Sequence, residues 1–238
     1  MEYISILTPV WNRTKFLELN LYNIIAIDYD KSKLEWCILD DGDEDFINAT
    51  QIEYIQHLIY PIKLHYVKDN KRRTIGDKRN RLVRMASHKI LINYDSDDIY
   101  KPDYINYSIK TLKEHKVGLV GCKDMVFLYP YKDFEMAYID CSEKSLIHEG
   151  TMCFTKKYWR SMGGFKNISQ GEGQRLVAYN DKQIELTKCD NCMCCVVHND
   201  NTINKDRFYE KSKVDNKFLC EPIKEILNRI LDIDYVRL

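Results

Sequence analysis

Over its first hundred residues the chain alternates short apolar runs with helical patterns, and each run stops at a polar or acidic turn. Residues 3–10 (YISILTPV) form a run rich in Ile and Val, ended by Pro9 and the turn at Asn12 and Arg13. Residues 14–27 then repeat Phe16, Leu17, Leu21, Ile24 and Ile25 at helical spacing, with Thr14 as N-cap. Residues 34–39 (LEWCIL) predict a second strand closed by Asp40-Asp41-Gly42-Asp43. A helix is expected at 46–59, a strand at 62–67 (IKLHYV), a helix at 74–86 and a fourth strand at 89–94 (KILINY). Strand and helix in alternation mean crossover units. The expectation is an α/β fold with a mostly parallel central sheet flanked by helices.

The second half is less regular. Residues 103–115 predict a helix, 117–130 (VGLVGCKDMVFLYP) and 135–141 strands, and 151–155 (TMCFT) a short strand before the helical KKYWRSM. Residues 192–198 (CMCCVVH) are read as closing the sheet. From about residue 216 an amphipathic helix carries Leu219, Ile223, Ile226, Leu227, Ile230 and Leu231 on one stripe. That stripe is expected to pack on its own domain, with a homodimer through the C-terminal helix or a membrane contact as alternatives. No repeat or low-complexity linker divides the 238 residues, so one domain is expected.

Composition narrows the function classes. Lys plus Arg and Asp plus Glu number 36 each, and zero net charge argues against a nucleic-acid binder held by bulk charge. No run reaches the roughly 18 apolar residues of a membrane span. Met1-Glu2 leads straight into a strand rather than an export signal, so a cytoplasmic protein is expected. There the nine cysteines would be reduced. Cys189, Cys192, Cys194 and Cys195 are closely spaced but lack a second ligand pair of similar spacing, which favours core or loop packing over zinc.

In open α/β sheets, ligands bind at the carboxyl ends of the parallel strands. Here those ends carry Pro9-Val10-Trp11-Asn12-Arg13, Asp40-Asp41-Gly42-Asp43 and Asp95-Ser96-Asp97-Asp98. The carboxylates of 95–98 repel one another unless a cation or solvent relieves them. A hard divalent cation, Mg²⁺ or Mn²⁺, takes such oxygens and keeps positions for phosphate; a solvated turn capping the next helix is the alternative.

Taken in order, TPVWNR, LDDGD, GDKRNRLVRMA, NYDSDD and then Gly163-Gly164 and Glu172 resemble the GT-A glycosyltransferases, most closely glycosyltransferase family 2, from about residue 3 to residue 202. The resemblance implies a single GT-A (Rossmann-like) domain at 1–205, with a nucleotide-sugar-binding half (1–115), an acceptor half (116–205) and a helical extension at 206–238. It implies a metal-dependent, inverting, hexosyltransferase-like enzyme. Such an enzyme moves a sugar from a nucleoside-diphosphate sugar, here a UDP-sugar, to a hydroxyl of a glycan, protein or small-molecule acceptor.

Carried over by position, Thr8, Pro9, Asn12 and Arg13 line the base and ribose. Asp41 accepts a hydrogen bond from the base, which suits the imide N–H of uracil. Arg79 contacts the donor and Asp95 faces the ribose or sugar. Asp97 binds Mn²⁺ or Mg²⁺ with His198 as a further ligand, and Asp98 either supports them or binds the metal too. Lys71, Arg72 and Arg73 add positive charge near the phosphates or form a solvated loop. Glu172 is the candidate catalytic base, with Asp181 in reserve, although Gly173 stands where the resemblance calls for an Asp. Two rival readings remain: a nucleotide- or glycan-binding module without its base, and a sugar-phosphate nucleotidyltransferase. The latter would need a Gly-rich basic loop that TPVWNRTKF lacks.

Overall fold

The computed structural model describes residues 1–141, 147–178, 181–202, 204–209, 213–214 and 218–233. The first elements are β1 (Ile4–Val10), α1 (Leu17–Ala26), β2 (Leu34–Asp40), α2 (Ala49–Leu58), β3 (Lys63–Lys68), α3 (Ile75–Met85), β4 (Ile90–Asn93) and β5 (Ile99–Tyr100). Next come α4 (Tyr104–Glu114), β6 (Leu119–Cys122), β7 (Asp124–Tyr129), β8 (Glu135–Asp140), β9 (Cys153–Thr155) and α5 (Lys156–Ser161). The last are α6 (Gln174–Val177), β10 (Ile184–Thr187), β11 (Met193–Val196), β12 (Lys213–Val214) and α7 (Glu221–Leu231). A single helical turn at Glu149–Thr151 leads into β9.

Seven strands form one sheet in the order β10-β6-β9-β4-β1-β2-β3. β1 pairs in parallel with β2 and β4, β2 with β3, and β6 with β10. Between β4 and β6, β9 runs antiparallel to both. Side chains alternate across a strand, so Ile4, Ile6, Trp36, Ile38, Ile90 and Ile92 enter one core while Leu7, Cys37, Leu39 and Leu91 enter another on the opposite face. Leu19, Ile24, Ile55, Ile105 and Ile109 of α1, α2 and α4 cover the first face; Leu82, Val83 and Tyr158 of α3 and α5 cover the second. Each such side chain gains about 1.5–3 kcal/mol on burial, which is why strands covered on both faces read as continuous apolar runs.

Three expectations change. The stretch 117–130 is two strands, β6 in the large sheet and β7 in a second sheet of order β12-β8-β7-β11-β5. At the corner, the Asp124 carboxylate accepts the Cys189 N–H at 3.2 Å. Residues 192–198 therefore close the second sheet, where β11 lies between β7 and β5. The helix expected at 46–59 starts at Ala49, because the Asn48 side chain caps it by accepting from Thr50 and Gln51 N–H, while Phe46 and Ile47 enter the core. β10 is an added edge strand of the large sheet.

The C-terminal helix begins at Glu221, and the expected positions 216–217 and 234–238 lie outside the described residues. It buries Ile223, Ile226, Leu227 and Leu231 in the domain's own core, and Arg229 pairs with Glu18 of α1. The stripe thus packs on its own domain, with Leu219 and Ile230 partly buried. No helix among the described residues is long and apolar enough to cross a membrane. Cys189, Cys192, Cys194 and Cys195 are buried, with Cys192 Sγ 3.5 Å from Cys122 Sγ.

Candidate active site at the carboxyl edge

Parallel β1, β2 and β4 end side by side, so the turns after them share one edge. After β2, Asp40 points into the fold and accepts from Gly42 N–H (2.9 Å), Phe46 N–H (2.8 Å) and the Tyr66 hydroxyl (2.8 Å). Asp41 points the other way and is enclosed by donors: Lys78 Nζ at 2.7 Å, Arg72 Nη1 at 3.1 Å and Arg73 N–H at 2.6 Å. Burial pushes the Lys78 ammonium down to a pKa of about 8, with Asp41 opposing. Arg72 in turn lies over the Trp11 ring, 3.7 Å from its centroid. Asn12 adopts a left-handed backbone (φ 48°), which Asn tolerates, and exchanges two hydrogen bonds with Asp43 at 2.9 and 2.8 Å. Gly42 lies so close that a Cβ there would sit 2.7 Å from Asn12 N.

The turn after β4 is held by α1. Asn20 donates to Ser96 O at 2.5 Å, Asn23 donates to Asp98 O at 2.9 Å, and Asn23 Oδ1 accepts from Tyr100 N–H at 3.1 Å. Residues three apart share one helix face, so both amides meet the same turn. Its carboxylates then diverge. Asp98 enters the core and accepts Val196 N–H at 3.1 Å; burial pushes its pKa up to about 8, with Asp97 and Asp95 adding to the rise and Lys205 opposing it. Asp97 Oδ2 receives Arg13 Nε at 3.0 Å and His198 Nε2 at 3.1 Å. Burial disfavours its charge, yet His198 and Arg13 hold its carboxyl far below the usual range. Burial likewise opposes the Lys205 ammonium, which Cys195, Asp98, Asp97 and Asp95 hold charged.

A third group sits beside these. Arg79 donates through Nη2 to Asp95 Oδ1 at 2.8 Å and through Nε to Glu172 Oε1 at 3.0 Å. Arg79 and Glu172 are 3% and 4% exposed, and Arg79 Nη1 is buried with no acceptor among the described residues. Glu149, partly exposed, accepts Gly173 N–H at 3.2 Å. Burial and the neighbouring Glu172 charge push its carboxyl up to about 7, against Arg79. Preceding it, His148 is driven down to about 4 by burial; its Nδ1 accepts Gly150 N–H at 3.1 Å, leaving Nε2–H to face Cys195 Sγ at 3.2 Å.

Asp97 and His198 fit a divalent cation. Two donors about 2.1 Å from one ion and at right angles lie about 3 Å apart, close to the 3.1 Å between Asp97 Oδ2 and His198 Nε2. Burial lowers the His198 pKa and so favours the neutral, ligating ring, which Phe16 fixes with its centroid 4.6 Å away. Asp200 N–H reaches His198 Nδ1 at 3.2 Å, and the Asp200 carboxylate lies 3.9 Å from that nitrogen, where the other tautomer would carry its proton. Among the described residues no group of three His, Cys, Asp or Glu gathers to hold a metal, so other positions would fall to phosphate oxygens and water.

Of the residues singled out in the sequence, Arg13, Asp97 and His198 meet at one point and Arg79, Asp95 and Glu172 at a second, while Asn12 bonds to Asp43 in the turn that carries Asp41. Thr8 is fully buried beneath the edge, its hydroxyl accepting from Trp36 Nε1 at 2.9 Å, and Pro9 pairs with Leu39 within the sheet. Arg73 is tied to Asp69 at 2.6 Å and Asp77 at 2.9 Å. The Asp181 side chain lies outside the described residues. Sequence reasoning missed Lys78, Asn20, Asn23, Lys205 and Glu149. A lysine on the inner face of α3 and two asparagines three apart on the inner face of α1 were the available signals.

The seven-stranded, mostly parallel α/β sheet with these charged clusters at its carboxyl edge matches the fold of solved GT-A glycosyltransferases. The chain belongs to glycosyl transferase family 2, whose sequence model matches residues 5–166, well over half of it. Among solved structures it is similar to the mannosyltransferase PcManGT from Pyrobaculum calidifontis, in complex with GDP-Man and Mn²⁺, with 19% identity and a TM-score of 0.64. That match covers 87% of this chain and 59% of the mannosyltransferase. It is also similar to S. aureus TarS 1–349 in complex with UDP-GlcNAc, with 14% identity, a TM-score of 0.64, and coverage of 99% of this chain and 73% of TarS 1–349. A further TarS 1–349 structure matches with 15% identity and a TM-score of 0.61, over 82% of this chain and 60% of that one. At such identities the likeness establishes the fold, and the chain spans about three fifths of the mannosyltransferase. No curated protein sequence matches it.

Proposed function

We propose that this chain is a metal-dependent, inverting glycosyltransferase that moves a sugar from a UDP-sugar to an acceptor hydroxyl. The observation that supports this most is the convergence of Asp97 and His198, 3.1 Å apart, beside Arg13 at the carboxyl edge of a parallel sheet. Asp97 and His198 hold Mn²⁺ or Mg²⁺, which when bound neutralises charge growing on the departing diphosphate. Asn12, Arg13 and the Asp41 turn receive the nucleoside, with Thr8 and Pro9 as the sheet floor beneath. The ring N–H of uracil is addressed to Asp41 once Arg72, whose side chain is 48% exposed, swings off it. Guanine also offers a ring N–H, so donor choice is tested with both bases.

Arg79 and Asp95 orient the donor, and the buried, unpartnered Arg79 Nη1 supports a polar ligand there. A carboxylate beside them accepts the acceptor's proton as its oxygen attacks the anomeric carbon opposite the leaving group. The resemblance assigns that role to Glu172, whose ion pair with Arg79 suits it equally to fixing the guanidinium. The second reading, a binding module without a base, is favoured by Gly173.

Thermal shift and nucleoside-diphosphate release with UDP-GlcNAc and GDP-mannose, each with and without Mn²⁺, separate the two. Mn²⁺-dependent stabilisation with release of UDP is the expected result. Stabilisation without release supports the module, and no stabilisation by either nucleotide refutes both.

A further inference from the structure

We infer that Glu149, rather than Glu172, is the catalytic residue that takes the proton from the acceptor hydroxyl; this rests on the glycosyl-transfer reading above. Besides Asp95, two carboxylates adjoin Arg79, and the structure treats them differently. Glu172 is buried and ion-paired to Arg79 Nε at 3.0 Å. Glu149 has no ion pair among the described residues, is partly exposed, and is held by the Gly173 N–H at 3.2 Å.

Gly173 makes room for it. A Cβ at 173 would lie 2.7 Å from Met152 Cε, 2.8 Å from Glu149 Cγ and 3.2 Å from Glu149 Oε1, so a side chain there requires both Met152 and Glu149 to shift. The resemblance calls for an Asp at 173, and Glu149 fills the volume that such an Asp would start to occupy. The next residue, Gly150, adjoins the donor-facing Asp95: a Cβ there would be 2.8 Å from Asp95 Oδ2. Glu149 thus lies beside the Arg79–Asp95 pair and is itself partly exposed.

In the step itself, the acceptor oxygen bonds to the anomeric carbon while that carbon's bond to the diphosphate oxygen breaks. The electron pair leaves with the diphosphate, and the acceptor proton passes to the Glu149 carboxylate. Facing Glu149 are Glu172 from the turn before α6 and Arg79 from α3. Burial and Glu172 raise its pKa to about 7 against Arg79. Only the deprotonated form accepts a proton, so the rate climbs as pH rises through about 7.

The test uses the full chain, Mn²⁺, and UDP-GlcNAc and GDP-mannose with water as the acceptor, read as nucleoside-diphosphate release. Glu149→Gln is expected to lower release by about 10²–10⁴-fold and to abolish the climb through neutral pH, with the calorimetric affinity for UDP and Mn²⁺ unchanged. Glu149→Ala combined with Gly173→Asp is expected to recover activity over Glu149→Ala alone, because it returns a carboxylate from the other segment. This exchange decides the matter even if Glu149→Gln does not fold. Wild-type rate and pH profile in Glu149→Gln would overturn the assignment. So would a Glu172→Gln variant that keeps nucleotide affinity and alone loses turnover. If the wild-type chain binds neither UDP nor GDP with Mn²⁺, the glycosyl-transfer reading falls and the assignment with it, a failure told apart by binding rather than rate.

Discussion

Two acidic turns end β2 and β4, the strands that flank β1, at the same edge, and they handle their charge in opposite ways. In Asp40–Asp43, Asp41 is enclosed by Lys78, Arg72 and the Arg73 N–H, with its carboxylate inaccessible. Of the carboxylates in Asp95–Asp98, Asp98 is buried among core contacts, while Asp97 and Asp95 remain partly exposed, each facing an arginine. The first turn behaves as a closed joint that sets the spacing between β2 and α3. The second is a set of charges left partly open at the rim. A similar run of aspartates is therefore closed over by cations in one place and left partly open in the other, and what differs is the cations supplied by distant segments.

Replacing Lys78 with Met is the largest blow to the closed turn. It strands the buried Asp41 carboxylate with fewer partners and should cost about 3–5 kcal/mol, read in denaturant melts. Unchanged stability would show that Arg72 and the Arg73 N–H suffice. At the open turn, Asp97→Asn should cost less in the melt than Lys78→Met but cut nucleotide-sugar turnover by about 10²–10³-fold and abolish Mn²⁺-dependent stabilisation by UDP. A variant with normal metal response would remove Asp97 from the metal site and erase the contrast. The smallest effect is expected for Arg72→Ala. Its exposed stacking on Trp11 is worth about 0.5–1 kcal/mol, so stability should barely move, while UDP affinity changes measurably if Arg72 gates Asp41.

Much of the sheet was legible because β1, β2 and β4 are buried on both faces and read as unbroken Ile, Leu and Val runs. The second sheet was hidden for the same reason. Residues 117–130 are mostly apolar on either side of Lys123 and Asp124, and that charged pair alone stands at the corner where the chain changes sheets. Thr8 shares the parity of Ile4 and Ile6, so alternation alone assigns it to the core. Arg13, Asp97 and His198 were legible one by one, but their meeting depends on β11 lying beside β5 in the second sheet. Glu149 escaped notice because it comes before a strand, whereas the acidic turns that drew attention come after one.

That last point follows from β9 running backwards between β4 and β6. A reversed strand presents its leading residues where its forward neighbours present their trailing ones. Segments more than twenty positions apart along the chain can then address a single spot from opposite approaches. The frame has, in effect, two sockets for one plug, and a lineage could move the working side chain from one to the other without rebuilding the scaffold.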